Sequence, residues 1–110
     1  MILKKYKIDG NKIEQLIKSM GGCMASDKIT VDGEQVDFMY RVEPDFEHDS
    51  GWRFMSGTED QDYADNAENW AIYDVNTIAN YDSAIIAYLQ ESIGTELERV
   101  KGTNNFQINN

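Results

Sequence analysis

"CMASDKITVDGEQVDFMYR", residues 23–41, decides how the fold is read, because its apolar positions alternate on both sides of the dipeptide Asp32-Gly33. Asp-Gly between alternating runs is a strong hairpin signal, since a two-residue type I′ turn needs positive φ at both central positions. Read that way, Val31 faces Glu34, Ile29 faces Val36, Asp27 faces Phe38 and Ala25 faces Tyr40. The other face sets Lys28 against Asp37, a cross-strand charge pair worth roughly 0.2–1 kcal/mol. A hairpin apolar on one side belongs to an antiparallel sheet covered by helices on that side.

The flanking sequence extends this picture. "GWRFMSG" at 51–57 sends Trp52 and Phe54 one way, Arg53 and Met55 the other; "WAIYD" at 70–74 and "TELERV" at 95–100 read as further strands, and Pro44 ends the strand before it. The end, "TNNFQINN", reads as a tail in which Phe106 and Ile108 are spaced for a short edge strand. Residues 11–20, "NKIEQLIKSM", put Ile13, Leu16, Ile17 and Met20 on one helical stripe, with Asn11 and Glu14 as a capping box, a Glu14–Lys18 pair and Gly21-Gly22 as a stop. Ser56 or Thr58 is placed to cap a short acidic turn, Asp74 a helix through "VNTIAN", and Asp82 a longer one through "SAIIAYLQES" that ends near Gly94. The fold class expected is α+β, an antiparallel sheet of about five short strands with helices packed on one face. A single domain is expected over 1–110: an N-terminal helical elaboration at 1–20, a core at 21–100 and a tail at 101–110.

One cysteine, Cys23, permits no internal disulfide, and no Cys/His spacing suits zinc, so a reducing, cytoplasmic setting is expected. The lysines near the start are not followed by the apolar run of a signal peptide, and no run has the length of a membrane span. The net charge is −10, and residues 43–82 hold eleven of the twenty acids against one base, Arg53. Such a field repels nucleic acid and anionic lipid and attracts a basic protein partner. The plainer account is that it keeps the chain soluble.

Chemistry finds little support. An EF-hand begun at Asp45 meets Ser50 where glycine is needed and Ser56 where the bidentate glutamate belongs, and one begun at Asp60 ends on Ala71, so no metal and no cofactor is expected. His48, Asp49 and Ser50 look triad-like, but sequence neighbours rarely converge as a triad must. Cys23 has no neighbouring base and reads as a structural thiol. No catalytic residue is nominated. The partner-binding candidates are Glu43, Asp45, Glu47, Asp60, Asp62, Tyr63 and Asp65, acids around an aromatic anchor, whereas Trp52 and Trp70 read as core. Arg53 is expected to make a bidentate bond to Asp49 or Asp74. The alternative is a small-ligand module or enzyme that uses Arg53, its neighbouring acids and Asn80.

The succession "GGCMASDKITVDGEQVDFMYRVEPDFEHDSGWRFMSG", "IYDVNTIANYDSAII" and "IGTELERV" resembles a bacterial family of small domains of unknown function, described as immunity-protein-like in polymorphic toxin systems. The resemblance spans about residues 21–100 and rests most on Asp49, Ser50, Gly51, Trp52, Arg53, Phe54, Ser56 and Gly57, then Tyr73, Asp74, Asn76, Thr77, Ala79 and Asn80. It implies an α+β fold and neutralisation of a toxin, and it carries over no catalytic residues.

Overall fold

The computed structural model describes residues 4–109, so the outer ends of the expected domain, 1–3 and 110, lie outside the described residues. Strand β3 (Asp49–Met55) is buried along its length up to Phe54. It owes this to its place inside a six-stranded sheet of order β4-β1-β3-β2-β5-β6. β1 (Gly22–Ser26) runs parallel to it on one side and β2 (Phe38–Arg41) antiparallel on the other. β4 (Trp70–Asp74) pairs antiparallel with β1, β5 (Glu96–Arg99) with β2, and β6 (Phe106–Ile108) with β5. The fold is α+β with a mostly antiparallel sheet.

The hairpin expected at 31–34 does not form. After β1, Ser26 caps a one-turn helix, α1 (Asp27–Thr30), its Oγ accepting from the Lys28 N–H at 3.1 Å. Gly33, at φ +79°, closes that turn, its N–H donating to Ile29 O at 3.1 Å while Glu34 N–H donates to Lys28 O at 2.9 Å. Asp32-Gly33 is therefore a helix stop. A positive-φ glycine serves either structure, and the helix wins because it delivers Ile29, fully buried, to the core. The expected Lys28–Asp37 pair is lost with the hairpin: Lys28 Nζ lies 5.1 Å from the Tyr63 ring centroid, and Asp37 pairs with Arg99 Nε at 3.1 Å.

The expected helix at 11–20 is also absent. Gly10–Lys12 makes one 3-10 turn, and the chain then runs as an irregular strap along α3 (Val75–Tyr81). Asn76 accepts the N–H groups of Leu16 and Ile17 at 2.8 and 3.2 Å and donates to Glu14 O at 2.8 Å. Asn80 accepts Glu14 N–H at 3.0 Å and donates to the same carbonyl at 2.9 Å. A helix this short is marginal in water, and two asparagines one turn apart satisfy the backbone groups that it would have paired internally. The described part of 1–20 is thus a strap rather than a helical elaboration. In the double variant Asn76→Ala with Asn80→Ala, trypsin is expected to cut at Lys12 or Lys18 at least roughly a hundredfold faster, because proteolysis follows the opened population and the five lost bonds to the strap are worth about 0.5–1 kcal/mol each. Unchanged cleavage would mean that other contacts hold the strap.

The core takes Cys23, Ala25, Met39, Trp52, Phe54 and Leu97 from the sheet, Ile29 from α1, and Val75, Ile78 and Ala79 from α3. The segment after Asp82 forms a 3-10 helix over Ser83–Tyr88 in place of the longer helix expected, with Asp82 as its cap, and contributes Ile85; Leu89 follows it into the core. The acidic turn is α2 (Gln61–Asp65), capped by Asp60 rather than by Ser56 or Thr58. The stretch read as a tail carries β6, and Phe106 is buried there. Arg99 ties this end down: it pairs with Asp37 and Asp82, donates to Val36 O and Thr103 O, and stands 4.9 Å from the Phe106 ring. No helix among the described residues is long and apolar enough to cross a membrane.

Candidate interaction face

Strand alternation gives the sheet a second face. Trp52 and Phe54 enter the core, so Arg53 and Met55 point the other way, beside their cross-strand partners Met24, Tyr40 and Phe38. Ile72, opposite Met24, is 58% exposed on the edge strand, and Glu96 and Glu98 stand opposite Tyr40 and Phe38. Met24, Tyr40, Arg53, Met55, Ala64 of α2 and Trp70 line a hollow of about 310 Å³. Through Met55 it adjoins a recess of about 560 Å³ that includes Phe38, Asp37, Glu59, Glu98 and Lys101.

Arg53 and Asp49 form the buried anchor of this face. Arg53 Nη1 donates to Asp49 Oδ1 at 3.0 Å and Nη2 to Oδ2 at 2.8 Å, a fork-to-fork bond, and Nη1 also reaches Trp52 O at 2.9 Å. Asp49 further accepts the backbone N–H groups of Asp45 at 2.7 Å and Gly51 at 2.8 Å. Burial pushes the Asp49 carboxyl upward, but the guanidinium and the two backbone donors outweigh it and hold the pKa at about 2. The same hydrogen bond to Asp49 holds Arg53 more firmly charged than usual, against burial. Phe46 covers the guanidinium, its ring centroid 5.7 Å away. Asp74 takes no part: it is exposed and precedes α3 without a side-chain cap bond.

The turn that places Asp49 depends on unusual backbone. His48 takes φ +62°, and its carbonyl accepts Gly22 N–H at 2.8 Å. Its imidazole is 83% exposed beside Glu47, while Ser50 Oγ donates to Gly22 O at 2.6 Å, so the His48-Asp49-Ser50 trio diverges into three unrelated contacts. Cys23 is fully buried, which pushes its thiol far above the range in which a thiolate forms.

The nominated partner-binding residues occupy two segments beside this face. Glu43, Asp45 and Glu47 are exposed in the β2–β3 loop, whose Phe46 covers Arg53. Asp62 and Asp65 are exposed on α2, whose Ala64 lines the hollow, and the Asp60 carboxylate caps that helix through Tyr63 N–H at 2.8 Å. Tyr63 is half-buried, with Lys28 against its ring. Among the described residues, no cation lies within ion-pair distance of Glu43, Asp45, Asp60, Asp62, Asp65, Glu96 or Glu98. No group of three or more metal-ligating side chains occurs among them either. The alternative constellation is not assembled, since Asn80 is bonded to the strap on the helix side and shares no partner with Arg53. The hairpin register puts Phe38 and Tyr40 on the covered face with Ile29 and Val36, whereas in the structure Met39 enters the core and Phe38 and Tyr40 lie on the opposite face with Glu96 and Glu98. Their alternation was visible, but the β2–β5 pairing that brings them together has no local signal.

A family model described as "Immunity protein Imm33 domain" matches residues 23–109. No curated protein and no solved structure gives a significant match. The matched region starts within β1, after the strap, and includes β6, so it covers the whole sheet apart from the first residue of β1. A match over most of the described residues, on the segment that carries the Asp49–Arg53 anchor, shows that the chain belongs to the Imm33 immunity protein domain family.

Proposed function

We propose that this protein is a non-enzymatic, cytoplasmic immunity protein that neutralises a bacterial toxin domain by binding a basic surface of it, with no part for nucleic acid, membrane or cofactor. The observation that carries this reading is the set of exposed carboxylates in 43–47 and on α2 that have no Lys or Arg partner among the described residues, on either side of the Arg53 hollow. Unpaired charge of one sign speeds the approach of an oppositely charged protein and rejects like-charged ones. If the toxin is a nuclease, its site is basic, and an acidic protein can occupy it as a phosphate chain would.

The test takes as its probe the protein encoded by the gene next to this one, which this reading expects to be a toxin with a basic domain. The association rate is expected to fall at least about tenfold between low salt and roughly 0.5 M. Asp62→Lys with Asp65→Lys should weaken association by a similar factor and leave the melting temperature nearly unchanged, since both side chains are exposed. Asp60 is left intact because it caps α2. Full affinity in that double variant, or binding indifferent to salt, would remove the acidic segments from the interface.

A further inference from the structure

The geometry points to the sheet face opposite the core as the centre of the docking surface, and to a basic protein surface bearing lysine or arginine side chains as its occupant; this rests on the reading of the protein as a toxin-binding domain. Met24, Phe38, Tyr40, Met55, Trp70 and Ile72 make up its apolar part, all partly or well exposed. Aromatic residues and methionine at the centre with charge at the rim is the usual anatomy of a protein interface.

Charge complementarity names the occupant. Phe38 and Tyr40 form a ring pair 5.6 Å apart, and directly across the β2–β5 ladder stand the exposed carboxylates of Glu98 and Glu96. A row of rings beside a row of carboxylates suits a long cationic side chain, whose stem lies on the ring while its head reaches the acid. The acids of 43–47 and of α2 extend the same sign to both ends of the face. Arg53 adds no opposing free charge, because Asp49 neutralises it.

On the other side of the molecule the strap has a net basic charge, its exposed lysines outnumbering Asp9 and Glu14. The strap lies along α3, which packs on the core face, and it carries Lys5, Lys7, Lys12 and Lys18, all exposed. A basic partner is thus drawn to the open sheet face and turned away from the strap and α3.

The deciding measurement is an NMR footprint on the unmutated, ¹⁵N-labelled protein titrated with the neighbouring gene's toxin domain. Perturbed amides are expected at Met24, Phe38, Tyr40, Met55, Ile72 and Glu98. A footprint confined to 43–47 and α2, or lying on the strap and α3, would overturn the sheet-face assignment while leaving toxin binding intact. No binding at all would instead overturn the function proposed above. As a second arm, Ile72→Lys and the pair Glu96→Lys with Glu98→Lys should each weaken binding tenfold or more, whereas Leu16→Lys on the strap should not. Equal affinity across all these variants would count against the face.

Discussion

Asp49→Ala is expected to lower the melting temperature by at least roughly 10 °C, the equivalent of about 3 kcal/mol in a domain of this size. The side chain is wholly buried and accepts four hydrogen bonds, two from Arg53 and one each from the backbone of Asp45 and Gly51. Truncation leaves a guanidinium with 7% of its side chain exposed and no counter-charge, together with two orphaned backbone donors. That penalty exceeds what the intact pair contributes, because the charge has already lost its water. Arg53→Lys keeps the charge but cannot reproduce the fork, and should cost about 1–2 kcal/mol. Thermal or urea unfolding followed by circular dichroism reads both, and an unchanged midpoint in Arg53→Lys would show that the pair is not a structural tie.

The same pair sets an acid limit. Asp49 is lowered from the ordinary 3.8 to about 2 in the folded protein. The folded state therefore binds this proton less readily than the unfolded chain. The resulting stability, about 2 kcal/mol, is fully present above pH ~4 and is lost as the pH falls through ~2. In Asp49→Asn this part of the acid dependence should disappear, so wild type and variant should converge in stability toward pH 2.

Gly51→Ala is expected to be as damaging, costing about 3 kcal/mol or more. Gly51 has φ +91°, and a Cβ built there would stand 2.1 Å from the carbonyl oxygen of Val42, a backbone atom that cannot swing aside. Relief would require opening the β2–β3 connection at the point where Val42 N–H bonds Gly51 O at 2.9 Å, and would disturb the Gly51 N–H that holds Asp49. Gly94→Ala is the matched control. Its φ is +99°, but nothing lies within 4 Å of the added carbon, so only the backbone strain of about 1–2 kcal/mol should appear. Equal melting temperatures for the two variants would show that the close approach at Gly51 is not rigid.

Much of the local structure was legible because its signals lie within a few residues of one another. The alternation of "GWRF" separated Trp52 and Phe54 from Arg53 and Met55, and the spacing of Phe106 and Ile108 marked the strand that forms there. Asp82 was recognisable as a cap, although what it caps is a 3-10 helix. The Asp49–Arg53 bond spans four residues of one strand and its turn, which put it within reach of sequence reasoning as one of two options. Arg99, by contrast, is held by partners at 36–37, 82 and 103–104, and nothing near it in sequence announces them.

What the sequence determined by itself was the class of fold, most strand positions and the concentration of acid in 43–82, because propensity, alternation and charge are properties of short stretches. Tertiary structure alone decided that Asp32-Gly33 ends a helix, that β1 runs parallel to β3, and that residues 13–17 lie as a strap on Asn76 and Asn80. The reason is the same in each case. A positive-φ glycine, a short strand and a weakly helical segment each have two conformations of similar local free energy, and only contacts with residues distant in the chain separate them.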